Sequence, residues 1–222
     1  MSWINMVRKD LVAYRKTLVW CAFYLLIFPL CFRSLGSQGS YVMVIALAVY
    51  ITTVGTIQSD EKNKVNYLIG TLPVKRSAVV GGKLLLLDAT LLFGLLLYAV
   101  LGSLNILLFK DVIIFELPGL QTICGAAFAA SFLGLIFIPM AYKLDSNRGR
   151  MAGAILIILI IVLASVGGGI FAVMLQDDPI GAALAGSAAM QYGVPAAMVA
   201  GAVIFQCLTY AITLHIYKKK DF

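Results

Sequence analysis

The sequence predicts an all-α membrane protein, formed as a single transmembrane domain over residues 1–222 with six transmembrane helices. Hydrophobic residues make up 62% of the chain and charged residues only 12%, and the mean hydropathy is +0.99. Soluble domains contain about 25% charged residues. Long uncharged runs also separate the few charges. This composition excludes a soluble cytosolic enzyme and a disordered tail.

Residues 1–16 are predicted to form an N-terminal helix in the membrane interface. Apolar residues recur there at helical spacing, while basic residues occupy the other faces; the apolar positions are Trp3, Val7, Leu11 and Tyr14. Such a pattern is typical of a helix whose apolar face lies among the lipid headgroups. A simple basic segment flanking the first span is the alternative.

Six uncharged runs are predicted to cross the membrane, because a hydrocarbon core about 30 Å thick requires roughly 20 helical residues. They are residues 17–32, 41–57, 84–109, 120–142, 151–175 and 196–217. The first run is short, and Lys16 and Arg33 extend it by reaching toward water. Residues 176–195 contain the breaking residues Gly193 and Pro195 and are predicted to be an external or re-entrant segment.

The basic residues are distributed unequally between the two sides of these spans. Fifteen of the seventeen Lys and Arg residues fall on one side, and only Arg33 and Lys110 fall on the other. By the positive-inside rule, both termini are predicted to be cytoplasmic. The same asymmetry explains the formal net charge of +7 without nucleic acid as a partner.

Motifs for catalysis, cofactor binding or metal binding are not found in the sequence. Gly81, Gly82 and Lys83 run directly into Leu84, so they do not form a phosphate-binding loop. The four cysteines lie in apolar runs without a C-x-x-C pair, and His215 is the only histidine. Asp88 is the one acid within a predicted span, and its role stays open.

Residues 58–83 are predicted to form a cytoplasmic loop. A charged patch over residues 60–64 is followed by an apolar helical turn and then by Leu72-Pro73-Val74-Lys75-Arg76. This segment is too charged for lipid and too apolar for a loose loop. We therefore expect a short interfacial helix that binds a cytoplasmic partner.

This loop resembles the corresponding loop in the transmembrane subunit of type-2 ABC exporters, the small six-span bacterial permeases whose ATPase is a separate chain. The resemblance lies in "DEKNKVNYLIGTLPVKRSAVVGGKLL", in the N-terminal "MVRKDLVAYRK" and in the basic C-terminal "YKKKDF". It extends over essentially the whole chain. Among these permeases the chain is most similar to peptide exporters such as the phenol-soluble modulin and lantibiotic immunity systems.

The resemblance implies the type-2 ABC exporter fold, with short cytoplasmic coupling helices, in the bacterial plasma membrane. It implies an ATP-driven permease that exports amphipathic peptides or hydrophobic toxic compounds. The partners would be ABC ATPase subunits, which bind ATP and Mg, and a second permease copy or paralogue. The residues implied to couple the permease to the ATPase are Asp60, Glu61, Lys62, Asn63, Tyr67, Leu68, Leu72, Pro73, Val74, Lys75, Arg76, Asp145, Asn147 and Arg148.

Two other classes of protein fit the composition. An ion-coupled carrier or channel would use the six spans alone, but charge inside the spans is scarce. A membrane-embedded enzyme acting on lipid would need His, Asp or Ser clustered at one depth, and the sequence shows no such cluster. No motif in the sequence marks substrate-binding residues.

Overall fold

The computed structural model describes residues 3–13, 15–31, 37–65, 75–108, 117–143, 153, 155 and 192–219. These residues form six helices and no strand, which confirms the all-α prediction over the described part of the chain. The helices are α1 (Trp3–Ala13), α2 (Arg15–Cys31), α3 (Ser37–Lys62), α4 (Arg76–Leu108), α5 (Leu120–Lys143) and α6 (Val194–Lys219).

Four of these helices contain segments that are long and apolar enough to cross a membrane. The segments are Gly39–Lys62, Arg76–Leu104, Leu120–Lys143 and Val194–Lys219, and they overlap the second, third, fourth and sixth predicted spans. Helix α2 covers most of the first predicted span with 17 residues. The fifth predicted span, residues 151–175, lies outside the described residues except for Gly153 and Ile155. Six spans therefore remain a prediction.

Helices α3 and α4 are both longer than the corresponding predicted spans. Helix α3 continues to Lys62 and α4 already begins at Arg76, so residues 58–62 and 76–83 of the predicted loop are helical. The sequence-based boundaries stop at charges, because an unpaired charge is costly in hydrocarbon. In the structure, charges on the two helices compensate each other, and the helices continue past them.

Helix α3 is the most buried of the four candidate spans and contacts α2, α4 and α5. The ring of Tyr41 on α3 stacks on Tyr98 of α4, with centroids 4.3 Å apart. The Tyr98 hydroxyl donates a hydrogen bond of 2.9 Å to the Leu25 carbonyl oxygen on α2. This contact satisfies a buried hydroxyl, which would otherwise be costly, and joins three helices.

Helices α5 and α6 approach each other closely at a glycine. A Cβ added at Gly201 of α6 would lie 2.8 Å from the ring of Phe128 on α5. The Phe128 ring also packs against Phe205, one turn further along α6, with centroids 5.3 Å apart. Small residues permit such close helix packing within membranes, where burial of apolar surface adds little.

One end of the helix bundle collects both ends of the described chain; we refer to it as the charged end. Helix α1 packs against α4 there, and Tyr142 near the end of α5 meets Tyr217 near the end of α6, with ring centroids 5.4 Å apart. The first helix and the end of the last helix therefore lie on the same side. An even number of spans requires this arrangement.

Candidate functional site

A buried group of four charged side chains lies at the charged end, and we refer to Lys9, Asp10, Asp60 and Lys83 as the ion cluster. Lys83 Nζ donates hydrogen bonds to Asp10 Oδ2 at 2.8 Å and to Asp60 Oδ2 at 2.7 Å. Lys9 Nζ lies 3.1 Å from Asp10 Oδ1 and 3.3 Å from Asp60 Oδ2. The two lysines and two aspartates balance in charge.

The ion cluster joins three helices. Lys83 lies two turns into α4, directly after the buried Gly81 and Gly82, and Asp60 lies in the last turn of α3. On α1, Asp10 lies one turn after the buried Met6, so the two side chains share the face that packs into the bundle. The cluster thus links the N-terminal helix to two membrane-crossing candidates.

Burial makes this cluster energetically sensitive. The side chains of Lys83, Asp10 and Asp60 are 4%, 2% and 10% exposed. Removal of one partner from a buried ion pair costs about 3–5 kcal/mol, because the other charge remains buried without compensation. The arrangement therefore disfavours any conformation that separates α1, α3 and α4 while leaving the charges buried.

Lys9 is the outermost member of the cluster. Partial burial lowers the pKa of Lys9, but the carboxylates of Asp60 and Asp10 raise it more, so the pKa lies above its ordinary value of 10.5. Lys9 is therefore fully protonated at neutral pH. It supplies the second positive charge that the two aspartates require.

Arg76 forms a second link at the charged end. Its Nη1 donates hydrogen bonds to the carbonyl oxygen of Lys218 at 2.6 Å and to that of Tyr217 at 3.4 Å. These carbonyl groups belong to the last turn of α6, which has no further helical partners and carries partial negative charge. Arg76 thus caps α6 and connects it to the start of α4.

The end of α3 is a defined turn. The Asn63 backbone amide donates to the Ser59 carbonyl oxygen at 2.9 Å, and the Lys64 amide donates to that of Glu61 at 3.0 Å. Lys64 has a φ of 53°, in the left-handed region that favours glycine. The chain therefore leaves α3 immediately after Lys62.

The predicted coupling residues fall into two groups. Asp60, Glu61, Lys62 and Asn63 lie at the end of α3, and Lys75 and Arg76 lie at the start of α4, all at the charged end. The other predicted coupling residues lie outside the described residues: Tyr67, Leu68, Leu72, Pro73, Val74, Asp145, Asn147 and Arg148. The sequence predicts that Asp60 belongs to a charged patch. In the structure this residue is instead buried, with 7% of its surface exposed, and it forms an ion pair.

Sequence reasoning missed the roles of Lys9, Asp10 and Lys83. The predicted apolar face of α1 was built on Val7 and Leu11, which are only partly buried, whereas Met6 and Asp10 are buried. One feature of the sequence indicates a buried role for Asp10: it is an acid among basic residues and lies one helical turn after Met6. No group of three or more His, Cys, Asp and Glu suited to a metal ion occurs in the part of the chain that the structure describes.

A separate polar contact lies inside the bundle between α4 and α6. Gln206 Nε2 donates a hydrogen bond of 2.7 Å to Asp88 Oδ1, and both side chains are partly buried. Both residues belong to candidate membrane spans. This contact therefore places a carboxyl group and an amide group within helices that are expected to cross the lipid hydrocarbon.

Comparison with known families agrees with this architecture. The sequence model of the family described as "ABC-2 family transporter protein" matches residues 5–218, a range that includes the whole of α2 to α5 and nearly all of α1 and α6. No curated protein sequence and no solved structure matches the chain. The chain belongs to the ABC-2 transporter family and is a permease, the membrane component of an ABC transporter.

Proposed function

We propose that the chain is the permease subunit of an ATP-driven exporter in the bacterial plasma membrane. It would cross the membrane six times, with both termini cytoplasmic, and would work as a homodimer or as a heterodimer with a paralogue. Separate ABC ATPase subunits would bind ATP and Mg and hydrolyse the ATP. The proposed substrates are amphipathic peptides or hydrophobic toxic compounds.

The contact between Asp60 and Lys83 supports this proposal. These residues flank the segment that resembles the coupling loop of type-2 ABC exporters, and their side chains meet at 2.7 Å. A partner that moves this segment would therefore displace the ends of α3 and α4 together. Asp10 extends the same displacement to α1, through its contact with Lys83 at 2.8 Å.

Arg76 provides a route from the coupling segment to the last helix. It lies within that segment, at the start of α4, and donates hydrogen bonds to the carbonyl oxygens in the last turn of α6. Helix α4 has 33 residues and is about 50 Å long. A displacement of its first turn would therefore be transmitted along the helix, through the bundle. ATPase closure would thus rearrange α1, α3, α4 and α6 as connected parts, which is the requirement for ATP-driven transport.

The test replaces the predicted apolar anchors of the coupling segment. In the double variant Leu68→Asp/Leu72→Asp, binding of the ATPase should weaken at least about 30-fold, because loss of a buried interface anchor costs about 2 kcal/mol or more. The conservative double variant Leu68→Met/Leu72→Met is the control and should bind normally. Co-purification and substrate-stimulated ATP hydrolysis are the measurements. Unchanged binding by the Asp variant would disprove the coupling role.

Transport direction and energy source need a separate experiment. Inside-out vesicles containing permease and ATPase should accumulate an amphipathic peptide only when ATP is present, and the isolated permease should hydrolyse no ATP. An ion-coupled carrier or channel would instead move the peptide without the ATPase.

The position of the two termini is tested by labelling cysteines introduced at Ser2 and Asp221. In right-side-out vesicles, both cysteines should react only after the membrane has been opened.

A further inference from the structure

Asp88 is an isolated charge in the apolar part of the sequence. It is the only Asp or Glu in the six predicted spans, and none of these spans contains Lys or Arg. In the structure, Asp88 lies 12 residues from one end and 16 from the other end of the candidate span Arg76–Leu104. Gln206 lies 12 and 13 residues from the ends of Val194–Lys219. Their hydrogen bond therefore lies within both candidate spans, more than three turns from the first residue of each, and Asp88 lies four residues after the start of the predicted span 84–109.

No basic side chain compensates Asp88 among the described residues. The nearest lysine in the sequence is Lys83, about 7.5 Å away along the helix axis, and its ammonium is bound to Asp10 and Asp60. Gln206 contributes an amide N–H, which favours the ionised carboxylate but does not neutralise it. A carboxylate at this depth is costly unless a proton or another cation joins it.

The surroundings of this pair are apolar and accessible. Leu92, one turn after Asp88 on the same face of α4, is 58% exposed, and Val203, three residues before Gln206 on α6, is 56% exposed. The carboxylate is itself only partly buried. A ligand that carries a cation on an apolar body would match both the charge and the adjoining surface.

We propose that Asp88 and Gln206 form a recognition site, between helices α4 and α6, for the cationic group of an amphipathic substrate. The ligand class is an ammonium or guanidinium group attached to an apolar chain. This inference rests on the proposed function, since it selects cationic molecules among the amphiphiles that the permease would export. Asp88 provides the charge, Gln206 orients the carboxylate, and apolar residues such as Leu92 and Val203 contact the chain.

The test measures binding to the purified permease, without the ATPase. Dodecylammonium is the cationic probe, and dodecanol is the uncharged probe of equal chain length. Asp88→Asn keeps the size of the side chain and one oxygen that can accept the hydrogen bond from Gln206. It should weaken dodecylammonium binding about tenfold or more and leave dodecanol binding unchanged. The matched control Asp177→Asn removes an acid outside the predicted spans and should have no effect on either probe.

Stability and transport separate the remaining outcomes. Asp88→Asn should unfold at the same temperature as the parent or higher, since it removes an uncompensated charge; a lower unfolding temperature would indicate a structural role and overturn the proposal. Equal dodecylammonium binding by parent and Asp88→Asn would also overturn it. If the cation preference is present but ATP drives no uptake into inside-out vesicles, the exporter proposal fails while the recognition site stands.

Discussion

Asp60 and Lys83 lie at the two ends of the predicted coupling segment, and their side chains form a buried ion pair of 2.7 Å. The pair closes the base of this segment, so that the last turn of α3 and the second turn of α4 are held side by side. Each helix can move at this end only if the other moves with it or the ion pair breaks.

Replacement of Lys83 by Met should destabilise the protein by about 3–5 kcal/mol, because Asp10 and Asp60 would lose the charge that both contact. Equilibrium unfolding in detergent measures the loss. Lys75→Met, at an exposed lysine in the same region, is the control and should change stability by less than about 0.5 kcal/mol. Addition of Asp10→Asn to Lys83→Met should recover part of the loss. Equal effects at Lys83 and Lys75 would contradict the cluster.

Deprotonation of Lys9 should reduce its contribution to stability only under alkaline conditions. Its pKa is raised in the folded protein, so its contribution is present below 10.5 and is lost as the pH rises through the folded pKa. The difference in unfolding free energy between the parent and Lys9→Met should therefore be constant from pH 7 to about pH 10 and shrink above it. A difference that already shrinks between pH 7 and 9 would refute this assignment.

Gly201→Ala should destabilise the contact between α5 and α6 by about 1–3 kcal/mol, since the added methyl group meets the Phe128 ring. Gly55 offers the matched control, because a Cβ there meets nothing within 4 Å. Gly55→Ala should stabilise α3 by about 0.5–1 kcal/mol through helix propensity. Thermal unfolding of the two variants should shift in opposite directions, and a shared direction would argue against close packing at Gly201.

Lys64→Gly should stabilise the turn after α3 by about 1 kcal/mol, because Lys64 has a left-handed backbone that costs a residue with Cβ about 1–2 kcal/mol. The same substitution two residues earlier, Lys62→Gly, replaces the last residue of α3 and should destabilise by up to about 1 kcal/mol. Chemical unfolding distinguishes the two. Destabilisation by Lys64→Gly would mean that α3 continues beyond Lys62 in solution.

The sequence alone predicts the helical class and the positions of α3, α5 and α6, because uncharged runs of the required length have few alternatives in a membrane. The ends of α3 and α4 are predicted less well. The predicted spans end at charged residues, but a charge ends a membrane span only where it remains unpaired. Asp60 and Lys83 are 23 residues apart, and a one-dimensional pattern does not reveal that they neutralise each other.

The candidate site is predicted only in part, for the same reason. Residues that adjoin in sequence, such as Asp60 to Asn63, are identified by their shared loop. Asp10 is not, because Lys83, which donates a hydrogen bond to its carboxylate, lies 73 residues further along the chain. The pairing of Asp88 with Gln206 spans 118 residues and likewise appears only when the helices are packed.

The ion cluster also imposes an order of events during synthesis. Lys83, which the Asp10 carboxylate contacts, is synthesised 73 residues after Asp10. At translation rates of about 5–20 residues per second, this separation corresponds to roughly 4–15 s. During that interval the Asp10 carboxylate lacks Lys83, its buried partner in the folded protein. Helix α1 can therefore complete the ion cluster only after the start of α4 has been synthesised.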